Sequence, residues 1–194
     1  NEKIAKEHYG DNAPFSMHPI IRNRDCCIKS TSLAIEIAKE TGARIHIMHI
    51  STKEEVQMLN ELKFGNVVTR QISGEACIPH LFFSESDYES KQGFLKCNPA
   101  VKTEQDRLAI VQGIENGILT TVGTDHAPHE LKVKTSPYFK CASGMPSVQF
   151  SLLALLDLWK RKEITLETIA KVTSENVADR FHIFYSCCHF GNTF

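Results

Sequence analysis

Apolar residues change their spacing along this chain from segment to segment, and the changes mark out alternating helices and strands. Between Cys27 and Thr41, Ile28, Leu33, Ile35, Ile37 and Ala38 suit a helical stripe, which Gly42 stops. Ala43 to Ile50 follows as a β-branched run in which His46 and His49 separate Ile45, Ile47 and Ile50. Ser51 and Thr52 can cap the next helix, with Glu54 and Glu55 in its first turn and Val56, Met58, Leu59 and Leu62 along its apolar side. Gly65 and Asn66 turn the chain into a predicted strand from Val67 to Ile72, and a shorter one is predicted from Phe94 to Cys97, ended by Asn98-Pro99. Thr103 caps a helix running to Asn116, with Leu108, Ile110, Val111 and Ile114 as core candidates. Gly117 ends it ahead of a fourth strand, Ile118 to Gly123. Met145 to Trp159 is predicted as a buried apolar helix and Ile164 to Val172 as a shorter helix.

Four strand-helix units predict an α/β protein with a parallel sheet. Helices on both faces of one open sheet, or half of a barrel, satisfy the pattern equally. The 194 residues suffice for one domain with a core, yet fall short of the roughly 250 typical of a closed eight-unit α/β barrel.

Composition narrows the classes further. Hydrophobic residues at 42% and charged residues at 23% are ordinary for a soluble globular protein. A net charge of −1 gives no global attraction for nucleic acid or an anionic membrane. No apolar run approaches the roughly 18 residues of a membrane span, and polar Asn1 to Gly10 has no signal-peptide core. Seven cysteines without a CxxC argue against a thiolate zinc knuckle or a redox pair, and reduced thiols fit a cytoplasmic setting.

The densest chemistry is Thr124-Asp125-His126-Ala127-Pro128-His129, one carboxylate and two imidazoles directly behind the fourth strand. His49 and His80 stand at or beyond two other strand ends. Parallel strands bring such ends to one face, where imidazole and carboxylate suit a zinc ion with an open position for water. The same residues have plainer uses. His46 and His49 lie three apart, so on a regular strand they face opposite sides and at most one serves a given ligand direction. Each can be a hydrogen-bonded structural histidine, His80 can pack at a loop edge, and Asp125 can cap a turn. His8 and His18 lack a carboxylate at metal spacing and are read as structural.

Four stretches in order, His46 to Ser51, Glu75 to Leu81, Cys97 to Lys102 and Thr124 to His129, closely resemble dihydroorotases of the amidohydrolase superfamily, within a likeness that runs from about Pro14 to Phe181. The resemblance implies a (β/α)8 barrel of TIM type with a binuclear zinc centre at its mouth, hydrolysing a cyclic amide. It assigns His49, His80 and Asp125 to metal binding, and makes Asp125 also the catalytic proton carrier between the activated water and the departing ring nitrogen. Asn98 and His129 match positions that hold the substrate's carboxylate and ring edge, and Ser143-Gly144 falls where main-chain groups face the ring. The implied substrate is a small molecule, dihydroorotate or N-carbamoyl-L-aspartate of pyrimidine biosynthesis, with no nucleic-acid or membrane partner and with a homo-oligomer left open.

Relatives also carry a His-x-His pair on the first strand, a later bridging lysine or aspartate, and an upstream arginine and asparagine for substrate. No His-x-His occurs here. The resemblance therefore implies that residues 1–183 correspond to roughly the C-terminal half of the barrel, with those upstream groups outside the chain. Residues 184–194 are expected to be an atypical tail from a truncated or frameshifted reading frame; a metal site at Cys187-Cys188-His189 has no second cluster to complete it. Two alternatives remain: a hydantoinase or dihydropyrimidinase-like hydrolase, and a non-catalytic dihydroorotase-like structural partner.

Overall fold

In the computed structural model, which describes residues 1–64 and 71–183, a three-stranded parallel sheet in the order β1-β2-β3 carries the architecture. Helix α1 (Glu2–Tyr9) and the long α2 (Arg24–Thr41) precede β1 (Ile45–Ile50). Then come α3 (Lys53–Phe64), β2 (Ile72–Cys77), the short α4 (Ile78–Phe82), α5 (Glu104–Glu115) and β3 (Thr121–Gly123). Helices α6 (Ser151–Lys160), α7 (Leu166–Ala170) and α8 (Asn176–Phe181) close the described part, the last two joined by a wide π-type turn. No described helix is long and apolar enough to cross a membrane.

Alternation along the strands splits the sheet into two chemically different faces. Ile72, Gly74 and Ala76 of β2 point one way, and this face joins Ile35, Leu59, Ile110, Ile114, Leu119, Leu155 and Leu158 in the main core. A Cβ on Gly74 would stand 2.5 Å from Leu59 Cδ1, so the small residue lets the helical layer close on the sheet. Ser73, Glu75 and Cys77 point the other way, onto a face whose neighbours include His46, His49 and Thr121.

The helix starts follow the polar pattern closely. Thr103 and Asp106 form a capping box on α5, with Thr103 Oγ1 accepting from the Asp106 amide at 3.2 Å and the Asp106 carboxylate accepting from the Thr103 amide at 3.1 Å. The buried Asp106 carboxylate also accepts from the Lys53 amide at the start of α3 and from Arg24 of α2. Thr52 caps α3 through the Glu55 amide, and Glu55 in turn accepts from Thr31 Oγ1 at 2.7 Å. Gly42 adopts φ 71°, the left-handed stop expected after Thr41.

Several predicted elements fall differently. The strand expected at Phe94 to Cys97 is replaced by a 3₁₀ turn, Gln92–Leu95, because the Lys96 main chain is used elsewhere: its carbonyl accepts from the Gly144 amide and from Lys134 Nζ. Of the strand expected at Val67 to Ile72, residues 67–70 lie outside the described residues; the ladder runs from Ile72 to Cys77, where both neighbours pair. The fourth strand shortens to three residues, since the Ile118 and Leu119 amides both close onto Gly113 O at the end of α5. The apolar run from Met145 is only partly buried. Leu155 and Leu158 enter the core, while Leu152 and Leu153 remain 56% and 61% exposed on α6. The expected tail, including Cys187-Cys188-His189, lies outside the described residues.

A smaller cluster holds the N-terminal segment to the loop before α6. His18 is fully buried, with Nδ1 2.7 Å from Tyr138 Oη and Nε2 2.8 Å from Cys97 O. Burial pulls its pKa from 6.5 down to about 4. An unfolded chain therefore binds this proton first as pH falls. The associated stability is complete above pH 6.5 and is lost progressively toward pH 4, about 3 kcal/mol in all. Urea unfolding followed from pH 7 to pH 4 should show this limb in the parent protein and a flatter one in His18→Gln.

Candidate metal centre

Site chemistry gathers at the C-terminal ends of the three strands. The ladder between β1 and β2 shifts between Ile47 and Ile50: Ile47 pairs with Gly74 and Ile50 with Ala76, so β1 spends one extra residue. Such a bulge re-aims a side chain, and His49 sits within it at φ 59°, a strained value for a residue with a Cβ. The expectation that His46 and His49 face opposite sides is thereby corrected. His46 Nδ1 meets Ser73 Oγ at 2.7 Å, and His49 Nδ1 meets Cys77 Sγ at 2.7 Å and Glu75 Oε1 at 3.2 Å, all on one face of β2.

The other ring nitrogen of His49 looks toward β3. Its Nε2 lies 3.7 Å from Asp125 Oδ1, two residues beyond the strand. The hydrogen bond to Glu75 comes first among the effects that raise the pKa of His49, with Asp125 adding to it against burial. Burial opposes ionisation of Glu75, but the bonds from His49 and Cys77 outweigh it and hold the acid below its usual range. Burial pushes the Cys77 thiol far up, with the Glu75 and Asp125 charges acting in the same direction. Gly123 completes this corner: a Cβ there would lie 2.6 Å from the Glu75 carboxylate.

His80 occupies α4, immediately after β2. It is 2% exposed; its Nε2 meets Pro99 O at 2.8 Å, while Nδ1 has no partner. Donation from Nε2 leaves the Nδ1 lone pair free, and burial lowers the pKa to about 3, so the ring stays neutral. A neutral imidazole with one unshared lone pair is what a metal requires. Of the expected ligands, His49 and Asp125 face each other, and His80 keeps its unpartnered Nδ1 within α4, just beyond β2. Among the described residues, the compact triple of potential ligand atoms is a different one, His49, Glu75 and Cys77, all within 4.8 Å of one another. Glu75 and Cys77 were absent from the expected ligands, although two-residue spacing on a strand places them on one face.

The residues expected to meet substrate border the same region. Asn98 is exposed and, with His49, Pro99, Ser30 and Thr31, lines a cleft of about 750 Å³. His129 Nε2 lies 3.0 Å from Ser143 O, and Gly144, at φ 132°, passes so close that a Cβ would stand 2.5 Å from Ala127 Cβ. Two buried lysines fix this loop. Lys134 Nζ donates to the carbonyls of Lys96, Ala142 and Gly144, and Lys96 Nζ donates to those of Tyr138 and Cys141.

No family model matches the chain. A dihydroorotase of Methanosphaera stadtmanae is 34% identical over 150 residues, 77% of this chain and 33% of its own length. A dihydroorotase of Fusobacterium nucleatum subsp. nucleatum is 30% identical over 196 residues, 94% of this chain and 45% of its own length. This chain thus spans less than half of either relative. In structure, it is similar to a dihydropyrimidinase from Brevibacillus agri NCHU1002, with a TM-score of 0.81 and 21% identity over 91% of this chain and 39% of that one.

Replacing Lys134 by Met would strip the donor from three carbonyls. Unfolding in urea should show a loss of about 3 kcal/mol, and the Gly144 amide, bonded to Lys96 O at 2.8 Å, should exchange its hydrogen faster.

Proposed function

From the premise that this chain is a dihydroorotase-like amidohydrolase, we propose that it supplies part of a zinc-dependent active site interconverting dihydroorotate and N-carbamoyl-L-aspartate in pyrimidine biosynthesis. The observation that carries this reading is the meeting of His49 Nε2 and Asp125 Oδ1 at 3.7 Å, across two strand ends and between residues 76 apart in sequence. The two-faced sheet supports the architecture that goes with it. Its polar face would line the interior of a (β/α)8 barrel and its apolar face, already covered by helices, the outer layer. On this reading residues 1–183 form the C-terminal portion of that barrel.

His49, His80 and Asp125 would hold the metal, and the orphaned Nδ1 of His80 is the feature that fits it best. Zinc bound there would polarise the ring amide carbonyl and bring water toward ionisation near neutral pH. Asp125, with one carboxylate oxygen toward His49, would take the proton released on attack and deliver it to the departing nitrogen.

Substrate would be held by groups of complementary polarity. Asn98 offers amide donors to a carboxylate at the cleft. His129, giving its Nε2 proton to Ser143 O, presents Nδ1 in its neutral form as an acceptor for a ring N–H. Gly144 removes the side chain that would block close approach of the ring.

A hydantoinase or dihydropyrimidinase-like activity is the second reading, favoured by the structural likeness to the Brevibacillus agri enzyme. A side-by-side assay of full-length protein containing this stretch separates the two. Turnover of dihydroorotate is expected, and turnover of dihydrouracil alone would overturn the assignment. Asp125→Asn should lower kcat on the order of 10²–10⁴-fold, whereas His129→Ala should act mainly on KM.

A further inference from the structure

We infer that His49, Glu75 and Cys77 form a binding site of their own for a soft divalent cation, distinct from the use of His49 together with His80 and Asp125. Three donors of different type converge: His49 Nδ1, Glu75 Oε1 and Cys77 Sγ, separated pairwise by 2.7, 3.2 and 3.5 Å. Edges of roughly this length belong to a tetrahedral ion with bonds of about 2.0–2.3 Å to nitrogen, oxygen and sulfur, and only the His49–Cys77 edge must widen. Thiolate, imidazole and carboxylate together suit zinc or the softer cadmium and reject magnesium and calcium, which want oxygen alone.

The site is built rather than fortuitous. Cys77 is fully buried, and Glu75 is 13% exposed in its side chain. Gly123 supplies the space for the Glu75 carboxylate, and the bulge in β1 holds His49 at φ 59°, turning its ring onto the two donors. His49, the least buried of the three, also lines the cleft shared with Asn98. On binding, the sulfur–hydrogen bond of Cys77 breaks, its proton passes to solvent and a sulfur–metal bond forms.

A consequence follows for the proposed enzyme, and it alone rests on that reading. A neutral imidazole ligates through one nitrogen while the other keeps the proton. An ion at Nδ1 therefore leaves Nε2 protonated toward Asp125 and withdraws His49 from the set with His80. Filling this site would inhibit.

The test is cadmium binding to the full chain, followed by the sulfur-to-cadmium charge-transfer absorption and by cadmium-113 NMR, in a background where Cys26, Cys27, Cys187 and Cys188 are replaced by Ser. One cadmium per chain is expected, with a resonance typical of a single sulfur donor. Cys77→Ser should abolish the absorption band, Glu75→Gln should weaken binding at least about tenfold, and Asp125→Asn should leave both signals in place. A cadmium resonance free of sulfur, a band that survives Cys77→Ser, or no binding at all would overturn the inference. Cys97→Ser and Cys141→Ser, each of which keeps Cys77, should both retain the one-sulfur resonance, and its loss in either would overturn the inference, so misfolding of Cys77→Ser would not obscure the result. Signals lost in Asp125→Asn would also overturn it, while leaving the hydrolase assignment to stand on its own assay.

Discussion

Parallel pairing of three short strands, with one residue too many in the first, is the constraint on which the rest depends. Parallel strands need helical crossovers, and those helices must bury an apolar stripe on the sheet. The pairing thus settles at once which face of β2 is apolar, Ile72, Gly74 and Ala76, and which is left for Ser73, Glu75 and Cys77. The extra residue between Ile47 and Ile50 then brings His49 onto the polar face beside His46. Without it, strict alternation would direct the two rings to opposite sides, and His49 could meet neither Glu75 nor Asp125.

Helix starts reinforce the same end of the molecule. Asp106 joins the caps of α3 and α5 to Arg24 of α2, while Glu55 gathers Thr31, Thr52 and the Ser51 amide. Lys102 reaches Ser51 Oγ at 2.9 Å and ties the segment after Asn98-Pro99 to the end of β1. Each of these buried groups has its partners, so the polar network adds rigidity rather than an unmet desolvation cost. The end of β1, which carries His49, is thereby braced against the start of α3 and the segment that leads into α5.

Local signals made much of this legible in sequence. The caps at Thr103 and Thr52 and the stop at Gly42 are readable because the interactions that form them span only a few residues, and the run Ala43 to Ile50 is readable as a strand from its β-branched alternation, although its partner lies in β2. Phe94 to Cys97 looked like a strand for want of knowing that Lys96 O is claimed by Gly144 and Lys134, some 40 residues later. The ladder at Ile72 to Cys77 was missed because Gly74 and Ala76 have weak strand preference, and their smallness matters only once Leu59 and Leu119 are packed against them. His49 shows the same limit. Its chemistry was readable from the motif, but its direction was not, since a bulge belongs to a pair of strands and not to either alone.

Gly123 carries a consequence of another kind. Three residues make β3 the shortest of the strands, and a β-branched residue at its end would favour extended backbone where glycine does not. The Glu75 carboxylate lies where that side chain would begin. Directed evolution for thermal tolerance should therefore pull this position toward valine or threonine, and selection for ligand chemistry should pull it back. The fold and the site make opposing demands on a single hydrogen atom.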